Sequence, residues 1–258
     1  MNLIESTFLG VLQGILEWLP VSSEGQTMLV MLNFMQIDPA EAITVAIFLH
    51  IGTMFAVLIK FRHDFAAMLN IDSKLLKVII VATLSTAITA VPLLIFIKDL
   101  LATGEVANIL IGVMLILTGI MLGVQKRMGN CYRTLDEITT RDMVFAGLAQ
   151  GFSIIPGISR SGTTITVLLM CGIKQELALK LSFLMSVPAV LGAIILFDVR
   201  GVVTSVSIAD AVIMILSALI FGYLTMSILL RFAKRVNFAC FCISLGGLTL
   251  LMVLLSVL

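Results

Sequence analysis

The residues able to do chemistry are concentrated in two similar stretches. QGILEWLPVSSEGQ at 13–26 holds Gln13, Glu17, Ser22, Ser23, Glu24 and Gln26, and QGFSIIPGISRSGTT at 150–164 holds Gln150, Ser159, Arg160, Ser161, Gly162 and Thr163. Each runs Gln-Gly, then a proline, then a Ser/Gly cluster carrying charge inside apolar sequence. Arg160 has a planar fork that binds phosphate oxygens bidentately and stays charged when buried. Ser and Gly ahead of an apolar run mark a helix N-terminus, where uncapped N–H groups and the helix dipole attract anions. Two such termini and one guanidinium suit a phosphate or diphosphate.

Glu17 follows Gln13 by four residues, so the two share a helical face. A carboxylate at a phosphate pocket repels its ligand unless it coordinates a divalent cation or takes a proton as a base. Glu17 therefore argues for chemistry or a metal beyond binding, and it equally suits a structural ion pair with Arg160. Ser22 and Ser23 read first as caps, although a hydroxyl beside a base and a cation can attack phosphorus. Glu24, near a helix start, reads first as dipole-stabilised structure and second as an auxiliary base. His50, inside an apolar segment, reads as hydrogen-bonded packing or as another auxiliary base. Gln13, Gln26, Gln150, Ser159, Ser161, Gly162 and Thr163 are candidate contacts to phosphate oxygens, or partners for broken helix ends.

The surrounding chain is 60% hydrophobic and only 12% charged, with a mean hydropathy of +1.18, against about a quarter charged in soluble domains. This is the composition of an integral membrane protein. The basic residues fall in short clusters between apolar segments, which excludes a nucleic-acid-binding patch. Cys131, Cys171, Cys240 and Cys242 have neither metal-ligand nor disulfide spacing. The first apolar run lacks a basic leader and is interrupted by Gln13 and Glu17, which argues against a cleaved signal peptide.

A spanning helix needs roughly 20 apolar residues. Six segments qualify, at 43–59, 78–97, 106–124, 181–197, 211–230 and 238–258. The runs 7–16 and 27–37 around the first stretch, and 143–155 and 163–173 around the second, are too short to cross. Each pair is expected to form a re-entrant helical hairpin, 3–37 and 143–173, with non-helical backbone tolerated because protein buries it or it lines a cavity.

Without crossings by the hairpins, Lys60, Arg62, Lys74, Lys77, Lys126, Arg127, Arg133, Arg141, Lys174, Lys180, Arg231, Lys234 and Arg235 fall on one side. Lys98 and Arg200 fall on the other. The positive-inside rule makes the first side cytoplasmic and has the first hairpin enter from outside. One hairpin plus three spans per half, an odd number of crossings, inverts the second half relative to the first. The expected fold is an all-α polytopic membrane protein, one membrane domain over 1–258 with an inverted-topology repeat, about 1–126 and about 140–258. In such architectures broken-helix ends meet near the bilayer midplane, so two stretches 137 residues apart are expected to share one site.

At these residues the sequence resembles the undecaprenyl-diphosphate phosphatase family, integral membrane phosphatases linked to bacitracin resistance. The resemblance covers essentially the whole chain and rests on Gln13 with Glu17, Pro-Val-Ser-Ser at 20–23, and Pro-Gly-Ile-Ser-Arg-Ser-Gly at 156–162. It implies hydrolysis of a polyprenyl diphosphate to the monophosphate at the outer face of the cell membrane, with Mg²⁺ or Ca²⁺, recycling a lipid carrier for cell-envelope glycan synthesis. Carried over by position, the resemblance implies Glu17 as a metal ligand or base, Ser23 as the proposed nucleophile, with a water as the alternative, and Arg160 as the phosphate clamp. The chain departs from the family at Gln26, where the family usually has His. Glutamine can hold a phosphate oxygen but cannot shuttle a proton at neutral pH, so Glu17, Glu24 or His50 would have to take over.

The expected partners are the lipid substrate and membrane lipids, with no nucleic acid and with a homodimer left open. The rival expectation is a transporter or flippase of an amphiphilic anion, because broken helices in inverted repeats also build secondary transporters. A third is a lipid-diphosphate binding protein without turnover.

Overall fold

The chain begins with a capping box. The Asn2 side chain accepts from the Ile4 and Glu5 N–H groups at 3.1 and 2.9 Å, and Glu5 accepts from the Asn2 N–H at 2.8 Å. Helix α1 (Leu3–Leu16) follows, and Pro20, lacking an N–H, helps to bar its continuation. Next come α2 (Ser23–Phe34), α3 (Pro39–Lys60), α4 (Arg62–Ala67), α5 (Lys74–Leu100) and α6 (Gly104–Gln125). The second half contains α7 (Thr140–Gly151), α8 (Arg160–Met170), α9 (Gln175–Leu196), α10 (Ile208–Phe232) and α11 (Phe238–Val257). The computed structural model describes residues 1–100, 103–125, 131–197, 206–232 and 237–257. Lys126, Arg127, Arg200, Lys234 and Arg235, used above to orient the chain, and Leu258, the expected end of the last span, lie outside the described residues.

Six helices, α3, α5, α6, α9, α10 and α11, are long and apolar enough to cross a membrane. They contain the expected spans almost whole, and most begin earlier than the apolar windows. Helical backbone runs on through polar first-turn residues such as Glu41, Lys74 and Glu176. Along α5, Ile80, Leu84, Ile88, Val91 and Ile95 recur every three to four residues and are all exposed, a lipid-facing stripe. Helices α1, α2, α7 and α8 have 14, 12, 12 and 11 residues, short of a crossing.

Small residues set the closest crossings. In α1, Gly10 and Gly14 lie against α10: a Cβ on Gly10 would meet the Met214 carbonyl at 2.6 Å, and one on Gly14 the Gly222 nitrogen at 2.7 Å. In α7, Gly147 and Gly151 lie against α5, where added Cβ atoms would meet the Ala82 carbonyl at 2.2 Å and Thr89 Oγ1 at 1.7 Å. Helices α6 and α11 cross antiparallel, Gly112 against Gly246 and Gly119 against Ala239. Such approaches suit helix association in lipid, where packing and not water exclusion drives assembly. Helix α3 is the most enclosed, with residues from Ala42 to Leu49 in the largest buried cluster.

At one end Arg133 fastens the second short-helix pair. Its guanidinium donates to Asp142 at 3.2 and 2.7 Å, to the Cys171 carbonyl at 2.6 Å and to the Glu137 carbonyl at 2.5 Å. Burial pushes the Asp142 carboxyl up, but hydrogen bonds from Arg133 and Thr139 outweigh it and hold it at about 2.

Candidate active site

The two stretches meet at their tips. Helix α2 opens at Ser22, which holds a left-handed backbone, φ 58, and whose Oγ accepts from the Gly25 N–H at 3.3 Å. Helix α8 opens at Ser159, whose Oγ accepts from the Gly162 N–H at 3.1 Å. The tips then bond to each other. Ser22 Oγ also accepts from the Gly157 N–H at 3.2 Å, and Ser161 Oγ donates to the Leu19 carbonyl at 3.3 Å. Gly157, at φ 99, occupies backbone that side chains rarely adopt, and a Cβ there would meet the Ile111 carbonyl at 2.7 Å.

Two long helices support the tips from outside. Thr118 of α6 donates to the Gly157 carbonyl at 3.0 Å and accepts from the Ser159 N–H at 3.2 Å. Cys242 of α11 donates to the Pro20 carbonyl at 3.6 Å. Neither residue was singled out from sequence; an isolated threonine in a charge-free span was the only available signal for Thr118.

Glu17 sits at the centre. It is 6% exposed, at the C-terminal end of α1. Its Oε1 pairs with Arg160 Nη2, and its Oε2 accepts from Ser23 Oγ at 2.7 Å and Gln13 Nε2 at 2.9 Å. His50 Nε2 lies 3.3 Å from the same Oε2, while its Nδ1 lies 2.7 Å from the Ala46 carbonyl. Arg160 Nη1 donates to the Ser182 carbonyl of α9 at 3.0 Å. The ion pair expected between Glu17 and Arg160 is thus present, and three guanidinium N–H groups remain beyond these two bonds.

A small cavity of about 30 Å³ lies here, walled by Glu17, Ser22, Ser23, Glu24, His50, Ser159, Arg160 and Ser161, with Leu19, Ser153 and Ile158. The N-terminal turns of α2 and α8 both reach it. A larger cavity of about 160 Å³ adjoins, mostly apolar, between α5 and α9, with Ala87, Ala90, Pro188, Ala193 and Leu196 in its wall. Glu24, His50, Ser153 and Arg160 wall both cavities.

The remaining expected residues lie elsewhere. Gln150 walls the larger cavity and donates to Thr86 Oγ1 at 3.0 Å. Gln13 touches the site through Glu17 alone among its described bonds. Thr163 returns its hydroxyl to the Ser159 carbonyl at 2.8 Å, and Gly162 serves by its N–H to the cap. Gln26, the position of the family histidine, donates to the Val21 carbonyl at 3.1 Å, closing the first tip from behind. Buried oxygens without a partner are Gln13 Oε1, Glu24 Oε1 and Gln150 Oε1 among the described residues.

The family model described as bacitracin resistance protein BacA matches residues 6–248. A protein of Methanothrix thermoacetophila named undecaprenyl-diphosphatase is 52% identical over 250 residues, covering 97% of this chain and 96% of its own length. Proteins of the same name from Methanococcoides burtonii and Sulfurisphaera tokodaii are 38% and 33% identical, covering 97% and 100% of this chain and 98% and 100% of their own lengths. Every motif of the two tips lies inside the matched region, and this multi-pass membrane protein belongs to the bacitracin resistance protein BacA family.

Proposed function

We propose that the chain hydrolyses a polyprenyl diphosphate to the lipid monophosphate and inorganic phosphate. One observation carries this reading: Glu17 with Ser23 and Arg160, brought from opposite halves, wall a polar cavity that shares Glu24, His50, Ser153 and Arg160 with an adjoining apolar one. The substrate is an anion joined to a hydrocarbon, and the two cavities match its two ends. The relatives named undecaprenyl-diphosphatase support the same activity.

In this reading the terminal phosphate occupies the tip of α2 and α8, and the tail lies between α5 and α9. Arg160 remains tied to Glu17 and Ser182 while its other N–H groups hold the phosphoryl oxygens, offsetting charge that develops in the transition state. Glu17 places the attacking oxygen, Ser23 or a water, in line with phosphorus. Mg²⁺ or Ca²⁺ takes hard oxygen donors, commonly one or two carboxylates completed by substrate phosphate. The donor set fits in type: Glu17 is a buried carboxylate walling the cavity and would hold the cation by giving up one of its present partners, Ser23 or Gln13. A bound cation supplies neutralisation of phosphoryl charge.

The architecture supports an inverted-topology repeat, about 1–126 and 140–258. Gly10 and Gly14 precede Gly147 and Gly151 by 137 residues, the spacing that also relates Gln13 to Gln150 and the caps Ser22 and Ser159. Helix α1 packs on α10 as α7 packs on α5, and each tip carbonyl, Pro20 or Gly157, takes a bond from the last helix of the opposite half. In this reading each short-helix pair is a re-entrant hairpin, and the basic loops on the opposite side favour entry of the first tip from the outer face of the cell membrane. The product would return to cell-envelope glycan synthesis, with bacitracin resistance as a consequence of diphosphate removal.

The test is phosphate release from a long-chain polyprenyl diphosphate by purified protein in detergent, with Mg²⁺, with Ca²⁺ and with chelator. Cation-dependent release supports the reading. Binding without release, or lipid-phosphate movement across vesicles without release, would replace it with the binding protein or the flippase.

A further inference from the structure

Hydrolysis consumes a water, and that water must surrender a proton to an acceptor facing the cavity. Four ionisable side chains wall it: Glu17, Glu24, His50 and Arg160. Arg160 has no acceptor atom. Glu17 is occupied on both oxygens, by Arg160 on one and by Ser23 and Gln13, with His50 beside them, on the other. Both nitrogens of His50 already face oxygens, those of Ala46 and Glu17. The hydroxyls of Ser22, Ser23, Ser153, Ser159 and Ser161, which also wall the cavity, are neutral and hold their own protons.

Glu24 differs. Its Oε1 is buried with no hydrogen-bond partner among the described residues, and the side chain walls both the polar and the apolar cavity. Buried acceptors are nearly always satisfied, so a stranded carboxylate oxygen at a reaction cavity calls for a donor that arrives in function.

We propose that Glu24 is the general base of this chain, taking the proton of the attacking water at Oε1. The assignment rests on the phosphatase reading above. As the water oxygen bonds to the terminal phosphorus, its proton passes to Glu24. The bond from that phosphorus to the bridging oxygen breaks, and its electron pair leaves with the lipid monophosphate. Glu24 then returns the proton to the departing phosphate. Glu17, locked by Arg160, orients the surroundings and does not itself accept the proton.

The experiment compares full-length wild type, E24Q and E24D in detergent, measuring phosphate release against substrate, Mg²⁺ and pH. E24Q is expected to lower kcat by about 10²- to 10⁴-fold with KM for the lipid nearly unchanged, the size expected for losing a general base. It should also lose the acidic limb of the kcat profile that E24D, with an intermediate kcat, retains. Glu17, His50 and Arg160 face Glu24 from α1, α3 and α8, so a limb that persists in E24Q belongs to one of them and overturns the assignment. Recovery of E24Q by raised Mg²⁺ would make Glu24 a cation ligand instead, and accumulation of phosphorylated Ser23 would refute direct attack by water. A wild type that releases no phosphate under any condition refutes the phosphatase reading itself.

Discussion

Ser22 Oγ accepts from the Gly157 N–H at 3.2 Å, so the cap of α2 is also the bond that joins the two tips. The same oxygen serves Gly25 in its own helix. Ser22→Ala removes both, which costs about 2 kcal/mol from a lost cap and one lost internal hydrogen bond. Ser22→Gly also loses the hydroxyl but relieves the left-handed backbone at φ 58, so it should be the milder change. Thermal unfolding in detergent checks the order; equal losses would mean that the backbone conformation carries no strain.

Glu17 is buried and Arg160 partly so, at 5% and 15% side-chain exposure. Removing one partner strands the other charge, so Glu17→Gln and Arg160→Met should each cost about 3–5 kcal/mol. The double variant should regain much of that stability while releasing no phosphate. Unfolding midpoints and activity measured on all four proteins form the cycle. Full activity in Arg160→Met would remove the clamp role.

The glycine crossings give a contrast within one residue type. Gly14→Ala drives a Cβ to 2.7 Å from the Gly222 nitrogen, and Gly151→Ala to 1.7 Å from Thr89 Oγ1. Each should cost about 1–3 kcal/mol by overpacking. Gly123→Ala meets nothing within 4 Å among the described residues of helix α6 and its neighbours and should gain roughly 0.5–1 kcal/mol. Detergent-stable yield and unfolding temperature distinguish them.

Asp142, held at about 2 by Arg133 and Thr139, binds its proton less readily when folded than the about 3.9 of a free aspartate. The deprotonated form is therefore favoured by folding. Its contribution is complete above about pH 4 and fades as pH falls toward 2. Asp142→Asn should lower stability at neutral pH and flatten the decline between those values. Unfolding midpoints across that range test it, and an unchanged slope would assign the acid sensitivity elsewhere.

Much of this organisation is written in local sequence. Charge-free runs mark the six long helices because nothing else in lipid satisfies their backbones. Proline followed by Ser and Gly marks the starts of α2 and α8, and Glu17 with Arg160 stood out as costly charges in apolar surroundings. Contacts that depend on distant helices were not legible. The Ser182 carbonyl that takes Arg160, the Gly222 carbonyl that takes Trp18 Nε1 at 2.9 Å, and the Cys242 thiol at Pro20 have no signature of their own. Arg133 read as one basic loop residue among several, because its carboxylate and carbonyl partners gather only when α7 and α8 pack. Of the two readings of Gln26, phosphate contact or partner for a broken helix end, its amide meets the second at the Val21 carbonyl, a choice of rotamer that sequence does not encode.

Glu24, His50, Ser153 and Arg160 form one wall shared by a polar and an apolar compartment. A molecule cut at that wall yields two fragments with opposite solvent preferences, which depart in different directions. The exit of one fragment then does not wait on the exit of the other, so the two products would leave the site without competing for a single path.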